Sequence, residues 1–213
     1  MSFDRLAPCY LGMEWALAGR KMHRCRTAFL ARVPTPHNIL ICGEGPGRSL
    51  VECRRRFPAA RILVVEESGR MIAAARTTLI RAGLSPDHIG FAQVDALEWT
   101  PPGPEFDLII THFFLDCFTP AQLTRLVPAI ARAAAPGSSW LIADFALPPR
   151  GPARWRARTI HEALYLFFRA VTGLSARRLT PPDALLSSSG FQCRGREVIE
   201  WGLLQSDWWR APG

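Results

Sequence analysis

The sequence predicts an α/β fold with a mostly parallel sheet and helices on both of its faces. Short apolar runs alternate with amphipathic stretches from residue 38 to residue 145, and this alternation is typical of a parallel sheet covered on both sides. The 213 residues, 48% of them hydrophobic, are enough for one well-buried core. The first apolar run leads directly into glycines at residues 43, 45 and 47. We therefore expect a single domain over residues 1–213.

The alternating part supplies five predicted strands and the helices between them. The strands are expected at residues 38–42, 61–65, 88–93, 106–111 and 138–145, and the helices at 47–57, 69–82 and 120–134. Residues 1–36 precede them as a predicted N-terminal helical cap, and residues 37–146 form the predicted core. In the final part, residues 147–213, one long helical stretch at 153–173 replaces the short loop that plain alternation would give.

Two final strands are expected at residues 191–201 and 203–209, at the sheet edge, where an antiparallel pairing is open. The complete prediction is a Rossmann-like sheet of seven strands with a helical insertion after strand five. An insertion at that place would lie over the carboxyl ends of the strands, which is where open α/β sheets bind ligands.

The loop after the first strand, Gly43-Glu-Gly-Pro-Gly47, predicts that the backbone passes close to a ligand. Glycine lacks a Cβ atom and reaches dihedral angles closed to other residues. The second predicted strand ends in Glu66, a carboxylate suited to accept hydrogen bonds from a ribose diol. Together these features predict an adenosine-containing cofactor. A nicotinamide dehydrogenase is an alternative, but its Gly-x-Gly-x-x-Gly pattern would need glycine where the sequence has Arg48.

From residue 38 to about residue 209 the chain resembles the class I S-adenosylmethionine-dependent methyltransferases. The resemblance rests on an ordered set of motifs: the glycine loop, Glu66, the Asp95-Ala96 pair, Phe106-Asp107 in the fourth strand and Pro136-Gly137 before the fifth. It implies that S-adenosylmethionine is the cofactor and that a particular set of residues binds it. These residues are Gly43, Glu44, Gly45, Gly47, Glu66, Glu67, Met71, Asp95, Ala96, Thr111 and His112.

Ile41 departs from the family pattern, because many relatives carry an acid two residues before the first glycine. In those relatives the acid helps to hold the amino-acid part of the cofactor. Two replacements are open in this sequence: Glu44 within the loop, or backbone carbonyl groups alone.

The resemblance implies methyl transfer, which requires a nucleophile held in line with the methyl group. A general base is needed only if the nucleophile carries a proton. The candidate catalytic residues follow the fourth and fifth strands and are His112, Asp116 and Asp144. Each has a structural alternative, namely backbone contacts to the cofactor for His112, a helix N-cap for Asp116 and a loop cap for Asp144.

The acceptor is expected to be a small molecule, apolar or aromatic, and its reacting atom (C, N, O or S) is open. The candidate substrate-binding residues are Tyr10, Phe113, Asp116, Phe145, His161 and Tyr165. His161 and Tyr165 are four residues apart and therefore share one face of the predicted long helix. The same two residues can also be ordinary core or surface positions of that helix. A non-catalytic S-adenosylmethionine-binding regulator of the same fold is the alternative from another class.

Charge and composition limit the partners. The net charge is +8 and Lys21 is the only lysine, so the excess comes from arginines that are spread along the chain. The segment Thr111-His-Phe-Phe114 also differs from the Asn/Asp-Pro-Pro-aromatic motif of methyltransferases that act on nucleobase amines, so a nucleic-acid partner is not expected. Arginines at 150, 154, 156 and 158 beside Trp155 keep a peripheral membrane contact and a lipid-like acceptor open.

Other classes are not favoured by the sequence. No apolar run approaches the roughly 18 residues of a membrane span, so we expect a cytoplasmic location. The six cysteines have no Cys-x-x-Cys pair or other zinc-like spacing, and no metal is expected. The sequence leaves the oligomeric state open.

Overall fold

The computed structural model describes residues 20–103 and 105–213. It contains a seven-stranded sheet: β1 (Asn38–Cys42), β2 (Arg61–Glu66), β3 (Ile89–Gln93), β4 (Phe106–His112), β5 (Ala134–Phe145), β6 (Gln192–Ile199) and β7 (Leu204–Arg210). The helices are α1 (residues 20–27 of the described part), α2 (Arg48–Arg56), α3 (Gly69–Arg81), α4 (Pro120–Ala131), α5 (Pro152–Thr172) and α6 (Asp183–Ser188).

The strand order is β3-β2-β1-β4-β5-β7-β6. The first five strands are parallel, and β7 runs antiparallel to both of its neighbours, β5 and β6. The mostly parallel Rossmann-like sheet predicted from the sequence is therefore confirmed. After β3 the chain crosses back to place β4 beside β1, so the direction of strand addition reverses between β1 and β4. Open α/β sheets bind ligands outside the carboxyl ends of strands at this kind of reversal.

The two faces of the sheet bury different residues of the same strands. Ile39 and Ile41 of β1 pack with Leu50 of α2 and Leu79 of α3, whereas Leu40 faces the opposite side with Leu123 of α4. The side-chain period of two in a strand causes this division. Since both faces are buried, the strands are almost continuously apolar, as expected for parallel strands with helices on both sides.

Helix α5 has clear start and stop signals. Pro152 occupies the first turn, and Gly173 follows the helix with a φ of 72°, the left-handed conformation typical of a helix C-terminus. The helix buries Ala157, His161 and Tyr165 on one face. In the described ranges, none of the helices combines the length and apolar character needed to cross a membrane.

The structure differs from the sequence-based prediction at the α4–β5 boundary and in an additional short helix. Helix α4 ends at Ala131, and β5 already begins at Ala134, because Ala134 pairs with Phe106 ahead of the Pro136-Gly137 irregularity. The short helix α6 was not predicted; its six residues are too few to show a helical period. Most of the N-terminal cap, with Tyr10, lies outside the described residues.

Candidate active site

A cleft of about 920 Å³, open to solvent, lies at the carboxyl ends of β1, β2 and β4. The loop after β1, the end of β2, the loop after β3 and the turn after β4 form its walls. Seven of the predicted cofactor residues line it: Gly43, Gly45, Glu66, Glu67, Met71, Asp95 and Ala96. The cleft is therefore built where the glycine loop and the acid of the second strand meet.

Glu66 is held in place by the backbone on both sides of the cleft. One carboxylate oxygen, Oε2, accepts a hydrogen bond from the Gly45 N–H at 3.1 Å, and Oε1 accepts one from the Ser68 N–H at 3.0 Å. Burial raises the pKa of Glu66, and the two backbone bonds act in the opposite direction. A carboxylate offers about four lone-pair positions, so Glu66 keeps capacity for further donors from the cleft.

The three loop glycines are required for different reasons. Gly43 (φ 67°) packs against Phe114, since a Cβ atom would lie 2.0 Å from a carbon of that ring. Gly47 (φ 100°) lies against α3, and its Cβ would lie 2.9 Å from the Cα of Ala75. A Cβ on Gly45 (φ 62°) would meet no atom of the described residues within 4 Å. Of the three glycines, only Gly45 therefore leaves open space beside its Cα atom. Gly43 and Gly47 instead allow the loop to pack closely against Phe114 and α3.

Glu44 and His112 lie beneath the glycine loop instead of facing the cleft. Glu44 Oε1 accepts a hydrogen bond from the Leu50 N–H at 2.9 Å in the first turn of α2, and burial raises its pKa to about 8. His112 Nδ1 lies 2.9 Å from Ser49 Oγ. Burial and the charge of Arg26 lower the His112 pKa to about 3. Glu44 thus caps a helix, and His112 is a buried neutral imidazole that does not line the cleft.

Thr111 is directed to the other face of the sheet. Its hydroxyl accepts a hydrogen bond of 2.9 Å from the Trp140 indole N–H, and both side chains are fully buried. Since neighbouring residues of a strand point to opposite faces, Thr111 and His112 both enter core layers. Their predicted contacts with the cofactor would have to come from the backbone.

The sequence analysis missed Arg26 on α1. Its side chain is buried, and its guanidinium carbon lies 4.7 Å from the centre of the Phe113 ring, which borders the cleft. The available signal was its position: Met22, Cys25 and Phe29 form the buried stripe of this segment, and Arg26 lies on the same helical face. A buried arginine on an apolar face is unusual, because charged residues are rarely buried unless they are paired.

A second cavity of about 520 Å³, open to solvent, lies between α5 and the ends of β4 and β5; we refer to it as the acceptor chamber after the role proposed for it below. Its apolar lining consists of Phe113, Phe145, Leu164, Phe168 and Leu174, and its polar lining of Asp116, Cys117, His161 and Tyr165. Five of the predicted substrate residues are among these, and Tyr10 is outside the described part of the chain. Phe113 and Cys117 also line the cofactor cleft, so the two cavities adjoin.

Asp116 and Asp144 form a carboxyl pair at the end of β5. Asp144 accepts hydrogen bonds from the Asp116 N–H at 3.1 Å and the Phe145 N–H at 2.9 Å, which places the two carboxyl groups next to each other. Burial raises the pKa of both, and the adjacent Asp116 charge raises that of Asp144 further. The two groups therefore titrate as a pair in which ionisation of one disfavours ionisation of the other.

Two other polar groups of the chamber have defined environments. The Tyr165 hydroxyl donates to the Asp116 carbonyl oxygen at 3.0 Å. His161 packs edge-on against Phe145, with ring centres 5.5 Å apart, and burial lowers its pKa. Its Nε2 is buried and has no hydrogen-bond partner in the ranges that the structure describes. Within those ranges no cluster of His, Cys, Asp and Glu side chains could hold a metal ion.

The strand order and the cleft at the reversal between β1 and β4 are those of an open α/β fold, in which ligands bind at this kind of reversal. Residues 39–137 match the family described as a methyltransferase domain. This part of the chain is a class I S-adenosylmethionine-dependent methyltransferase domain, and S-adenosylmethionine is the cofactor of that class.

Curated methyltransferases are similar to the chain in sequence, and solved structures share its fold. Trans-aconitate 2-methyltransferase of Streptomyces coelicolor is 37% identical over 121 residues, which cover 50% of this chain and 38% of that protein. Demethylmenaquinone methyltransferase of Thermus thermophilus is 27% identical over 216 residues, covering 94% of this chain and 96% of that protein. An O-methyltransferase family protein from Burkholderia thailandensis has the same fold, with a TM-score of 0.74, 16% identity and coverage of 97% of this chain and 60% of that one. The chain thus spans well under two thirds of the first of these relatives.

The cleft residues fit the cofactor of this class. Glu66 has acceptor capacity directed into the cleft, and Gly45 leaves open space beside it. Asp95, after β3, has its Oδ1 bonded to the Leu97 N–H at 2.9 Å, which fixes the carboxylate at the cleft wall. A ribose and an adenine would meet these two acids in the order that the family pattern implies.

Proposed function

We propose that the protein transfers the methyl group of S-adenosylmethionine to a small apolar or aromatic acceptor bound in the acceptor chamber. The observation that carries the proposal is the junction of the two cavities, because Phe113 and Cys117 line both of them. When bound, S-adenosylmethionine supplies an electrophilic methyl group on a sulfonium. The remaining task of the protein is to align an acceptor atom with that group, and alignment alone can provide a large part of the rate enhancement.

The chamber lining supports an aromatic or otherwise apolar acceptor. Three phenylalanines and two leucines form most of its walls, and ligand sites lined mainly by apolar and aromatic side chains with a few polar groups are typical of small apolar ligands. The relative that covers nearly the whole chain is named for a quinone acceptor, and this name is compatible with such a lining. The polar groups Asp116 and His161 would then orient one end of the acceptor.

Calorimetric titration with S-adenosylhomocysteine, followed by transfer of a labelled methyl group to a panel of small acceptors, tests this function. We expect saturable binding and transfer to at least one aromatic member of the panel. Binding without transfer to any acceptor would favour the non-catalytic regulator. A folded protein that binds neither form of the cofactor would rule out both functions.

A second candidate function is methyl transfer to a lipid-like acceptor at a membrane surface. Trp155 at the start of α5 is 72% exposed and Trp201 in the turn between β6 and β7 is 78% exposed. The Arg156 guanidinium lies 5.7 Å from the Trp201 ring centre. Trp201 and its neighbours Glu200 and Gly202 all have positive φ angles, so the turn holds this side chain outward. Exposed tryptophans beside arginines are typical of surfaces that contact anionic membranes.

Co-sedimentation with anionic vesicles at low and high salt tests the membrane candidate. We expect association that weakens at high salt and that is lost in the Trp155→Ser, Trp201→Ser double variant. The control is Ile80→Ser on α3, which removes another exposed apolar side chain (67% exposed) outside this surface. Equal sedimentation of the double variant and the wild type would reject the membrane role.

A further inference from the structure

We propose that the acceptor is an uncharged aromatic compound with a hydroxyl group, that the Asp116–Asp144 carboxyl pair binds and deprotonates this hydroxyl, and that the pair excludes carboxylate acceptors. The inference rests on the proposed methyl transfer and names the acceptor class of the same site.

No positively charged lysine or arginine of the described residues lines the acceptor chamber. Its polar lining in the described ranges consists of Asp116, Cys117, His161 and Tyr165, and none of these is a lysine or an arginine. The guanidinium carbon of the buried Arg26 lies 4.7 Å from the centre of the Phe113 ring, but Arg26 is not among the residues that line the chamber, and its charge acts on Glu44 and His112 beneath the glycine loop. A carboxylate acceptor would bring a second negative charge beside Asp116, and no lysine or arginine of the described residues lines the chamber to balance it, which is unfavourable in a desolvated cavity.

Asp116 and His161 both have hydrogen-bonding capacity available to an acceptor in the chamber. The Tyr165 hydroxyl is committed to the Asp116 backbone carbonyl, so it does not donate to the Asp116 carboxylate. An acceptor hydroxyl can make that bond, and a hydrogen bond to a charged partner is stronger than a neutral one. His161 Nε2, buried without a partner in the described part of the chain, lines the same chamber. It provides a second contact for a polar atom on the acceptor ring.

The position of Asp144 provides a path for the proton. As the acceptor oxygen bonds to the methyl carbon, the carbon–sulfur bond breaks, S-adenosylhomocysteine leaves, and the hydroxyl proton passes to the Asp116 carboxylate. The Asp116 N–H donates to Asp144 Oδ2 at 3.1 Å, so the two side chains are neighbours, and Asp144 also lines another cavity that is open to solvent. The carboxyl pair therefore offers the proton a route to water that does not pass through the bound acceptor.

Calorimetry with a matched pair of probes tests the inference. The probes are beta-naphthol and beta-naphthoate, which share the ring system and differ in carrying a hydroxyl or a carboxylate. We titrate each into protein saturated with S-adenosylhomocysteine at neutral pH. We expect beta-naphthol to bind at least about tenfold more tightly than beta-naphthoate. Asp116→Asn removes the charge and preserves the size of the side chain, so it should raise the affinity for beta-naphthoate. The ratio of the naphthol affinity to the naphthoate affinity should then fall to within about threefold.

Asp183→Asn is the control, because Asp183 lines only the solvent-open cavity behind Asp144 in the described structure. It should leave the ratio unchanged. Equal or tighter binding of naphthoate to the wild type overturns the inference, as does an unchanged ratio in Asp116→Asn or a failure of naphthol to bind. Saturation with S-adenosylhomocysteine is measured first, so a failure of the proposed function is seen separately as a failure of that step.

Discussion

Glu66 shows how the backbone prepares a single side chain for binding. Its two oxygens accept hydrogen bonds from the Gly45 and Ser68 N–H groups, and Ser68 is itself fixed as the N-cap of α3 by its bond to the Met71 N–H. The carboxylate is thus oriented before any ligand arrives. Pre-orientation of this kind reduces the entropy lost on binding.

We expect Glu66→Ala to weaken S-adenosylhomocysteine binding by about ten- to a hundredfold, since hydrogen bonds to a charged group are worth about 1.5–3 kcal/mol. Glu66→Gln retains one acceptor oxygen and should lose less. The measurement is calorimetric titration, with circular dichroism to establish that each variant is folded. Glu98→Gln is the control, because Glu98 is exposed and does not line the cleft in the described structure. Unchanged affinity in a folded Glu66→Ala protein would refute the cofactor assignment.

At the residue scale, the sequence predicted cavity-lining side chains best at positions that follow a strand. Glu66, Asp95 and Asp116 lie at or after strand ends, and all three line a cavity, because the carboxyl ends of parallel strands meet at one edge. Thr111 and His112 are still within β4, so their side chains are directed into the two core layers. Arg26 was missed because one arginine cannot be distinguished from many others without the burial of its helix face.

At the scale of elements, the first turn of α2 depends on a residue outside the helix. Gly47 at the N-cap has no side chain to accept a backbone N–H, and Glu44, three residues earlier, fulfils this role through Leu50. A carboxylate near a helix N-terminus is also favoured by the helix dipole. Burial nevertheless raises the Glu44 pKa from 4.5 to about 8, so the neutral acid is favoured in the folded protein.

This pKa predicts a pH dependence of stability. A folded-state pKa above the unfolded one means that the contribution of Glu44 is fully present below 4.5 and is lost as the pH rises through about 8. Glu44→Gln keeps an acceptor oxygen and cannot ionise. The melting temperature of Glu44→Gln minus that of the wild type should therefore be several degrees higher at about pH 8 than at about pH 5.

Thermal unfolding followed by circular dichroism at the two pH values provides the measurement for Glu44→Gln. The control is Glu162→Gln on α5, where an exposed carboxylate pairs with Arg158 at the surface. If the difference in melting temperature between Glu44→Gln and the wild type does not change with pH, Glu44 is already ionised in the folded protein.

The elements with a strong repeating pattern were predictable from the sequence, and those defined by long-range pairing were not. Helix α5 follows its prediction closely because Pro152 and Gly173 mark its ends. The extension of β5 back to Ala134 depends on its partner Phe106, which lies far away in the sequence. Helix α6 has only six residues, so its existence is decided by packing of Leu186 against the core.

At the scale of the whole molecule, the C-terminal hairpin is part of the main core. In the register of β5 and β7, Trp140 is paired with Trp209, and both belong to the core layer that contains Leu123 of α4. Strand β7 therefore completes a hydrophobic layer that begins with Leu40 of β1. The sequence predicted two edge strands here, and the pattern left their direction open because direction is fixed by connection and register.

Trp209→Ala should lower the free energy of unfolding by about 3–5 kcal/mol, the range for a buried tryptophan, because Trp209 is only 4% exposed. Trp201→Ala, at the exposed turn of the same hairpin, should change it by less than about 0.5 kcal/mol. Urea denaturation of both variants provides the comparison. Similar losses in the two variants would show that the hairpin contributes little to the central core.

Helix α5 supplies one complete wall of the acceptor chamber, with His161, Leu164, Tyr165 and Phe168. The cleft beside the glycine loop uses none of these four side chains in the described structure. Under the proposed function, mutations confined to one surface of α5 would alter which compound is modified and would leave the contacts with the methyl donor unchanged. Such a separation would give evolution, and a protein engineer, a simple route to new products from the same scaffold.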